Sequence, residues 1–288
     1  MPYDTGGGFR PLIADRAGHG PAVVLLHGQP GTAADWAAVV PRLVADFTMI
    51  AVDRPGWGRT GGPAGGFATN AAAVLELLDR LGHADALVVG HSWGGGVALA
   101  LAQAAPERTL GLVLVASVAP GQPAGRLDRL LAAPAVGDVA VPAAFGIAGR
   151  ALRSRAGQRL LGRPTVPTEA RQALSALIGT RADDVESGSP RQSGRAFTVE
   201  QRAFLDELDA LGPGLGAIRV PTEVLSGDND HVVTPDAARS LVSTVPGAML
   251  RVIARAGHLL PIEHPAAVEA AIRAVAARAG LRPDPSAG

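Results

Sequence analysis

Six short apolar runs punctuate this chain, and segments with helical spacing separate most of them. The runs are Ala22-Val23-Val24-Leu25-Leu26, Thr48-Met49-Ile50-Ala51-Val52, Ala86-Leu87-Val88-Val89, Leu112-Val113-Leu114-Val115, Thr222-Glu223-Val224-Leu225-Ser226 and Met249-Leu250-Arg251-Val252-Ile253. Runs this short and this continuous mark strands buried on both faces, as in a parallel sheet. Between them, Trp36, Val39, Val40 and Leu43 share one helical face behind Thr32, with Pro41 expected to kink that helix. Val74, Leu77, Leu78 and Leu81 repeat the spacing, and Gly82 reads as a helix stop. Ala238, Leu241, Val242 and Val245 follow Thr234 and Pro235, a cap and a first helical position. Val268, Ala271, Ile272 and Val275 form the last such face, behind Pro265. Alternation of this kind predicts an α/β fold, a mostly parallel central sheet flanked by helices.

The rhythm breaks in residues 118–214, which are rich in Ala, Arg, Gly and Pro. Short helical pieces occur there, such as Arg171 to Leu177, but no run resembles the flanking strands. Residues 1–117 and 215–288 are therefore read as one core, and residues 118–214 as a helical cap inserted between two of its strands. The alternative is an independent helical domain. Ser187-Gly188-Ser189-Pro190 reads as a mobile loop, and the tail from Arg282 onward as disordered.

Composition removes several kinds of chemistry. The chain has 26 basic and 26 acidic residues, so no charge excess is available to hold nucleic acid or an anionic membrane. Every basic residue is arginine, which excludes a lysine amine from any mechanism. Cysteine is absent, which excludes thiolate catalysis, disulfides and Cys-ligated metals. Residues Met1 to Arg10 lack the basic and apolar regions of a signal peptide, and no apolar run nears the ~20 residues of a membrane helix. A cytoplasmic protein is expected.

One junction between strand and helix carries a reactive group. Gly90-His91-Ser92-Trp93-Gly94 follows the run Ala86 to Val89 and opens a helical pattern through Val97, Ala98, Leu101 and Ala102. A G-x-S-x-G turn in this setting is a nucleophile elbow, which lifts the serine hydroxyl clear of the sheet. A serine hydroxyl needs a base to take its proton, and the base needs an acid to orient it. The chain supplies both after Ser92, in the order acid and then base. Asp230 lies beyond the strand ending at Ser226, in Gly227-Asp228-Asn229-Asp230, with Asp228 as its competitor. His258 follows the final strand in Ala256-Gly257-His258. Of the other histidines, His19, His83 and His231 read as loop or surface residues and His264 as a helix cap, while the side chain of His91 is expected to point away from the serine. Donors for a negative oxygen are expected from the backbone N–H of Trp93 and of Gln29, because Pro30 has none.

Together these pieces resemble the α/β-hydrolase superfamily. The resemblance runs through His27-Gly28-Gln29-Pro30-Gly31 with Trp36, Asp53-Arg54-Pro55-Gly56-Trp57-Gly58-Arg59-Thr60, Gly90 to Gly95, Gly227 to Asp230, and Gly257-His258. It implies the α/β-hydrolase fold with an inserted cap, a triad of Ser92, Asp230 and His258, an oxyanion hole of Gln29 and Trp93, and no cofactor or metal. The Asp53 loop is implied to be structural, with no catalytic part for Asp53 or Arg54. A small or medium carboxylic ester or lactone is the expected substrate, with no nucleic-acid or membrane partner. Relatives that open epoxides or remove halide use aspartate where this chain has Ser92, and hydroxynitrile lyases of this fold use a lysine. The alternatives are a prolyl iminopeptidase-like amidase, which needs cap acids such as Glu169, Asp183, Asp184, Glu186 or Glu200; a C–C bond hydrolase, whose family usually has tryptophan where this chain has Leu259; and a non-catalytic binder of small ligands.

Overall fold

The computed structural model describes residues 10–161 and 189–281. Their sheet has seven strands: β1 (Ile13–Ala17), β2 (Ala22–Leu26), β3 (Thr48–Asp53), β4 (Ala86–His91), β5 (Thr109–Val115), β6 (Thr222–Gly227) and β7 (Met249–Ile253). Their spatial order is β1-β3-β2-β4-β5-β6-β7. Only β1 is antiparallel, pairing Ile13 with Asp53 and Ala17 with Met49. The rest form the parallel sheet that the apolar runs predict, but the edge strand β7 is mostly exposed and not buried on both faces, because only β6 flanks it. The strand β1 was not among those runs. Its sequence, Ile-Ala-Asp-Arg-Ala, is mostly exposed and offers no apolar stretch to recognise.

The central strands sort their side chains by a period of two. Val24, Leu26, Ile50, Val52, Val88, Leu112 and Leu114 face one apolar layer, together with α1 (Phe67–Leu81) and α2 (Trp93–Ala104). Val23, Leu25, Met49, Ala51, Leu87, Val89, Val113 and Val115 face the other. Strands sandwiched in this way carry apolar residues at every position.

Among the described residues, the stretch between β5 and β6 carries a series of helices. They comprise α3 (Arg126–Ala132), α4 (Val141–Arg153), α5 (Arg155–Leu161) and the long α6 (Pro190–Glu207). Ser189 caps α6 by accepting from Gln192 N at 3.3 Å. The predicted helical piece at residues 171–177 and the acids Glu169, Asp183, Asp184 and Glu186 lie outside the described residues. After β6 come α7 (Pro235–Thr244), then β7, the short α8 (Leu260–Glu263) and α9 (Pro265–Arg278). In α9 all four predicted face residues, Val268, Ala271, Ile272 and Val275, are fully buried. Among the described residues no single helix is long and apolar enough to cross a membrane.

The helix expected around Trp36 does not form. Two short 3₁₀ turns, Ala33–Trp36 and Val40–Arg42, occupy the segment. Thr32 caps the first as expected, and Pro41 sits in the first turn of the second. Proline lacks the N–H and crowds the preceding turn, so a continuous helix through Pro41 is disfavoured by about 3 kcal/mol. The pattern of Trp36, Val39 and Leu43 survives because all three still face the core.

Candidate active site

The junction of β4 and α2 makes the sharpest turn at the centre of the sheet. Ser92 has φ 53° and ψ −119°, a conformation L-residues rarely adopt. Holding a non-glycine residue there costs about 1–3 kcal/mol, which the surrounding packing must offset. The turn is pinned on both sides: Ser92 N donates to Val115 O at 2.9 Å, and Ser92 O accepts from Gly95 N at 2.9 Å. Gly94 is required by close approach, since a Cβ there would collide with the carbonyls of Leu26 and His27. The serine stands at the carboxyl end of the strands, where loops converge.

Two loops from the far end of the chain reach this point. The loop after β6 carries Asp230, which is 2% exposed. Its Oδ1 accepts from the backbone N–H groups of Val232 and Val233 at 2.8 and 2.9 Å. These two bonds orient the carboxylate and leave Oδ2 free to face the loop after β7. There His258 Nδ1 lies 2.8 Å from Asp230 Oδ2, and His258 Nε2 lies 2.9 Å from Ser92 Oγ. A carboxylate oxygen can only accept, so Nδ1 carries the proton and Nε2 presents its lone pair to the serine hydroxyl. The competing carboxylate is placed elsewhere: Asp228 Oδ1 accepts from Ala256 N at 3.3 Å and braces the histidine loop.

The loop after β2 packs against the serine. A Cβ on Gly28 would lie 3.1 Å from Ser92 Cβ, so glycine lets this loop approach. Among the described residues, neither the backbone N–H of Gln29 nor that of Trp93 meets an acceptor. Trp93 opens α2, where the first N–H groups of a helix lack intrahelical partners. The Asp53 side chain bonds within its own neighbourhood and does not reach Ser92 or His258. Asp53 Oδ1 accepts from Ala33 N at 2.8 Å and Oδ2 from Arg59 Nε at 2.8 Å, which ties two loops together.

Two buried histidines lie close to the site, one of them against expectation. The ring of His91 does not point away from the site. Its Nε2 donates to the His258 carbonyl at 2.9 Å, and the two rings lie 5.0 Å apart. His91 thus supports the loop that carries His258. Its Nδ1 is buried with no partner among the described residues, so a second proton there would have no acceptor. Burial, helped by the neighbouring His258, pushes the His91 pKa down to about 3. At the end of β2, His27 accepts from Arg54 N at 3.1 Å and donates from Nδ1 to Gly28 O at 2.8 Å. Burial and the Arg54 charge hold it well below the usual histidine range.

Both rings are neutral in the folded protein, while the unfolded chain protonates each near pH ~6.5. Stability is therefore full above that value and falls as pH drops toward about 3. Between pH 6.5 and 5 the burial of His91 is expected to cost about 2 kcal/mol, and His27 acts in the same direction. Urea unfolding at pH 7 and pH 5 measures the fall, and His91→Asn should reduce it. An unchanged midpoint would contradict neutral burial of both rings.

Between the loop after β2 and α6 lies a buried ion pair. Arg54 and Glu200, the latter from α6, form an ion pair with both side chains fully buried. Trp57 Nε1 donates to Glu200 Oε1 at 2.8 Å. Burial pushes the Glu200 carboxyl up, and the Arg54 guanidinium and Trp57 indole pull against it. Every donor to its oxygens is an N–H group, so neither oxygen needs a proton to complete its hydrogen bonding. The sequence offered Glu200 only as one cap acid among several. Its partner Arg54 lies 146 positions away, beyond any local pattern.

Comparison with known proteins gives the same picture of the whole chain. The family profile described as "alpha/beta hydrolase fold" matches residues 21–265. A 2-hydroxy-6-oxononadienedioate/2-hydroxy-6-oxononatrienedioate hydrolase of Burkholderia vietnamiensis is 31% identical, over 84% of this chain and 82% of its own. Among solved structures, a thermophilic esterase from Thermogutta terrifontis superposes with a TM-score of 0.71 at 26% identity, covering 93% of each chain. An N-acyl homoserine lactone degrading enzyme superposes with a TM-score of 0.67 at 25% identity, over 91% of this chain and 96% of its own. The sheet order, the insertion after β5 and the profile match agree: the chain belongs to the alpha/beta hydrolase family.

Proposed function

We propose that this protein is a serine hydrolase of small or medium carboxylic esters or lactones, working through an acyl-enzyme on Ser92. The observation that carries the reading is the relay from Ser92 Oγ to His258 Nε2 at 2.9 Å and from His258 Nδ1 to Asp230 Oδ2 at 2.8 Å. As Ser92 Oγ attacks the carbonyl carbon, its proton passes to His258 Nε2. Asp230 stays ionised and stabilises the imidazolium. The carbonyl electron pair moves onto oxygen, where the backbone N–H groups of Gln29 and Trp93 receive it. The intermediate collapses, and the leaving alkoxide takes the proton from His258. Water then attacks the acyl-enzyme by the same route in reverse, releasing acid and free serine. No cofactor or metal enters these steps. Residues 118–214 act as a cap over the site and select the substrate.

Two alternatives bear on different observations. The 31% identical relative is named as a hydrolase of a hydroxy-oxo-dienedioate, which favours a C–C hydrolase as the second reading. Against it, Leu259 follows His258 where C–C hydrolases of this family usually have tryptophan. An iminopeptidase needs an acid free to bind the substrate amine. Glu200 is not free, because Arg54 and Trp57 occupy both its oxygens.

The test is a side-by-side assay of p-nitrophenyl esters, lactones, proline amides and a hydroxy-oxo-dienoate, with fluorophosphonate labelling. Ester or lactone turnover above the others, with one adduct on Ser92, is the expected result. Turnover of the dienoate alone would transfer the reading to C–C cleavage. Absence of both adduct and turnover would leave a ligand-binding protein.

A further inference from the structure

The two residues assigned to the oxyanion have their side chains tied to one turn of α6. Gln29 Nε2 donates to Phe197 O at 2.7 Å. Trp93 Nε1 donates to Glu200 O at 3.2 Å. From the same turn the Glu200 carboxylate reaches inward to Arg54 and Trp57. Arg54 then grips the loop that carries Gln29. Its Nε donates to His27 O at 2.9 Å and its Nη2 to Gly28 O at 2.8 Å. Its guanidinium also lies 4.5 Å from the centre of the Trp93 ring.

The contact with Gly28 O bears on the chemistry. That carbonyl and the N–H of Gln29 belong to one planar peptide unit and point in opposite directions. Fixing the oxygen therefore fixes the direction of the N–H. Gly28 O also accepts from His27 Nδ1 at 2.8 Å. Two donors on the carbonyl polarise the peptide and strengthen its N–H as a donor. Trp93 is held in turn by its ring contact with Arg54 and its bond to α6.

A buried ion pair is a poor way to gain stability. Desolvation of both charges offsets most of their attraction, and apolar replacements are often neutral or stabilising. Neither charge bonds to Ser92, Asp230 or His258, and neither is exposed to touch a substrate. Something other than stability or direct contact must account for the pair.

We propose that Arg54 and Glu200 are positioning residues for the oxyanion hole, through which the cap helix α6 sets the direction of the Gln29 and Trp93 N–H groups. The proposal rests on the acyl-transfer reading above. Oxyanion donors act in the transition state far more than on the bound substrate, so the pair governs kcat and leaves KM nearly unchanged.

The decisive variant is Arg54→Met/Glu200→Met, which removes both charges together and leaves neither unpaired. Active sites are counted by complete fluorophosphonate labelling, and p-nitrophenyl acetate kinetics are expressed per labelled site. The expected result is a roughly 10–100-fold fall in kcat with KM within about threefold of wild type. Affinity for a trifluoromethyl ketone, whose hemiketal oxygen needs the same donors, should fall in parallel. A purely structural pair would lower the yield of labelled enzyme and leave kcat per site unchanged, which overturns the proposal. Glu200→Gln decides the matter if the double variant does not fold. It keeps the shape of the side chain but removes the charge that holds Arg54 on the Gly28 carbonyl, and a kcat per site equal to wild type would again overturn the proposal. A wild-type protein that neither labels nor turns over removes the acyl-transfer reading and this inference with it. A wild-type protein that does both, beside an equally fast variant, removes this inference alone.

Discussion

Alanine at position 92 is expected to lower kcat by roughly 10³–10⁶-fold and to leave the fold in place. The loss is large because, among the described residues, no other hydroxyl stands at His258 Nε2, the 2.9 Å partner of Ser92 Oγ. The proposed oxyanion donors are backbone N–H groups that the substitution does not remove, and they would set the floor of residual turnover. Alanine does not relieve the backbone, because φ 53° strains any residue with a Cβ. Glycine does. Ser92→Gly should therefore be as inactive as Ser92→Ala but more stable by about 1 kcal/mol. Ester kinetics and urea unfolding on the two variants separate chemistry from strain. If Ser92→Ala kept wild-type turnover, the nucleophile would have to be sought elsewhere.

Asp230→Asn carries the second large effect, expected near 10⁴-fold in kcat. The reason lies in what each carboxylate oxygen does. Oδ1 accepts from Val232 N and Val233 N, so an asparagine must place its own carbonyl oxygen there. Its NH₂ group then faces His258 Nδ1, where Oδ2 stood at 2.8 Å. An NH₂ group donates, so the imidazole must accept at Nδ1 and carry its proton on Nε2. The ring then presents N–H to Ser92 Oγ and cannot take its proton. Side-chain shape and burial are unchanged, so stability should move by much less than activity. Steady-state kinetics with a urea midpoint check both. A fall of less than about tenfold would mean that Asp230 does little to orient the base.

Asp228→Asn is the contrast. Among the described residues, Asp228 accepts only from the backbone of Ala256, at 3.3 Å, a role that an amide oxygen also fills. The two aspartates sit two residues apart on one loop, and sequence favoured Asp230 without closing the choice. What separates them in space is the pair of N–H groups at Val232 and Val233, which turns one carboxylate toward the histidine loop.

Much of this protein was legible before any coordinates. A strand buried on both faces is apolar at most positions, so β2 through β5 announce themselves as runs, while β6 keeps a buried Glu223 that Arg251 and Arg278 neutralise. A strand that ends in Gly-x-Ser-x-Gly and opens a helix leaves little freedom for where the serine points. Ser92, Asp230 and His258, which the fold brings within hydrogen-bonding distance, were each proposed from a local rule of this kind, a residue type at the end of a strand.

Tertiary structure decided what no local rule reaches. The exposed edge strand β1 depends on β3 for its partner and carries no pattern of its own. Pro41 broke a helix whose apolar spacing was intact, because spacing reports which face is buried and not which hydrogen bonds can close. The ring of His91 turned toward the His258 carbonyl, a partner 167 positions along the chain. Arg54 and Glu200 met across a similar distance, in a place where burial makes an unpaired charge prohibitive. Sequence alone determined which groups stand at the strand ends, because burial and turn geometry write themselves into neighbouring residues. The partners of those groups are set by distance in space, and only the folded chain brings such remote positions within bonding range.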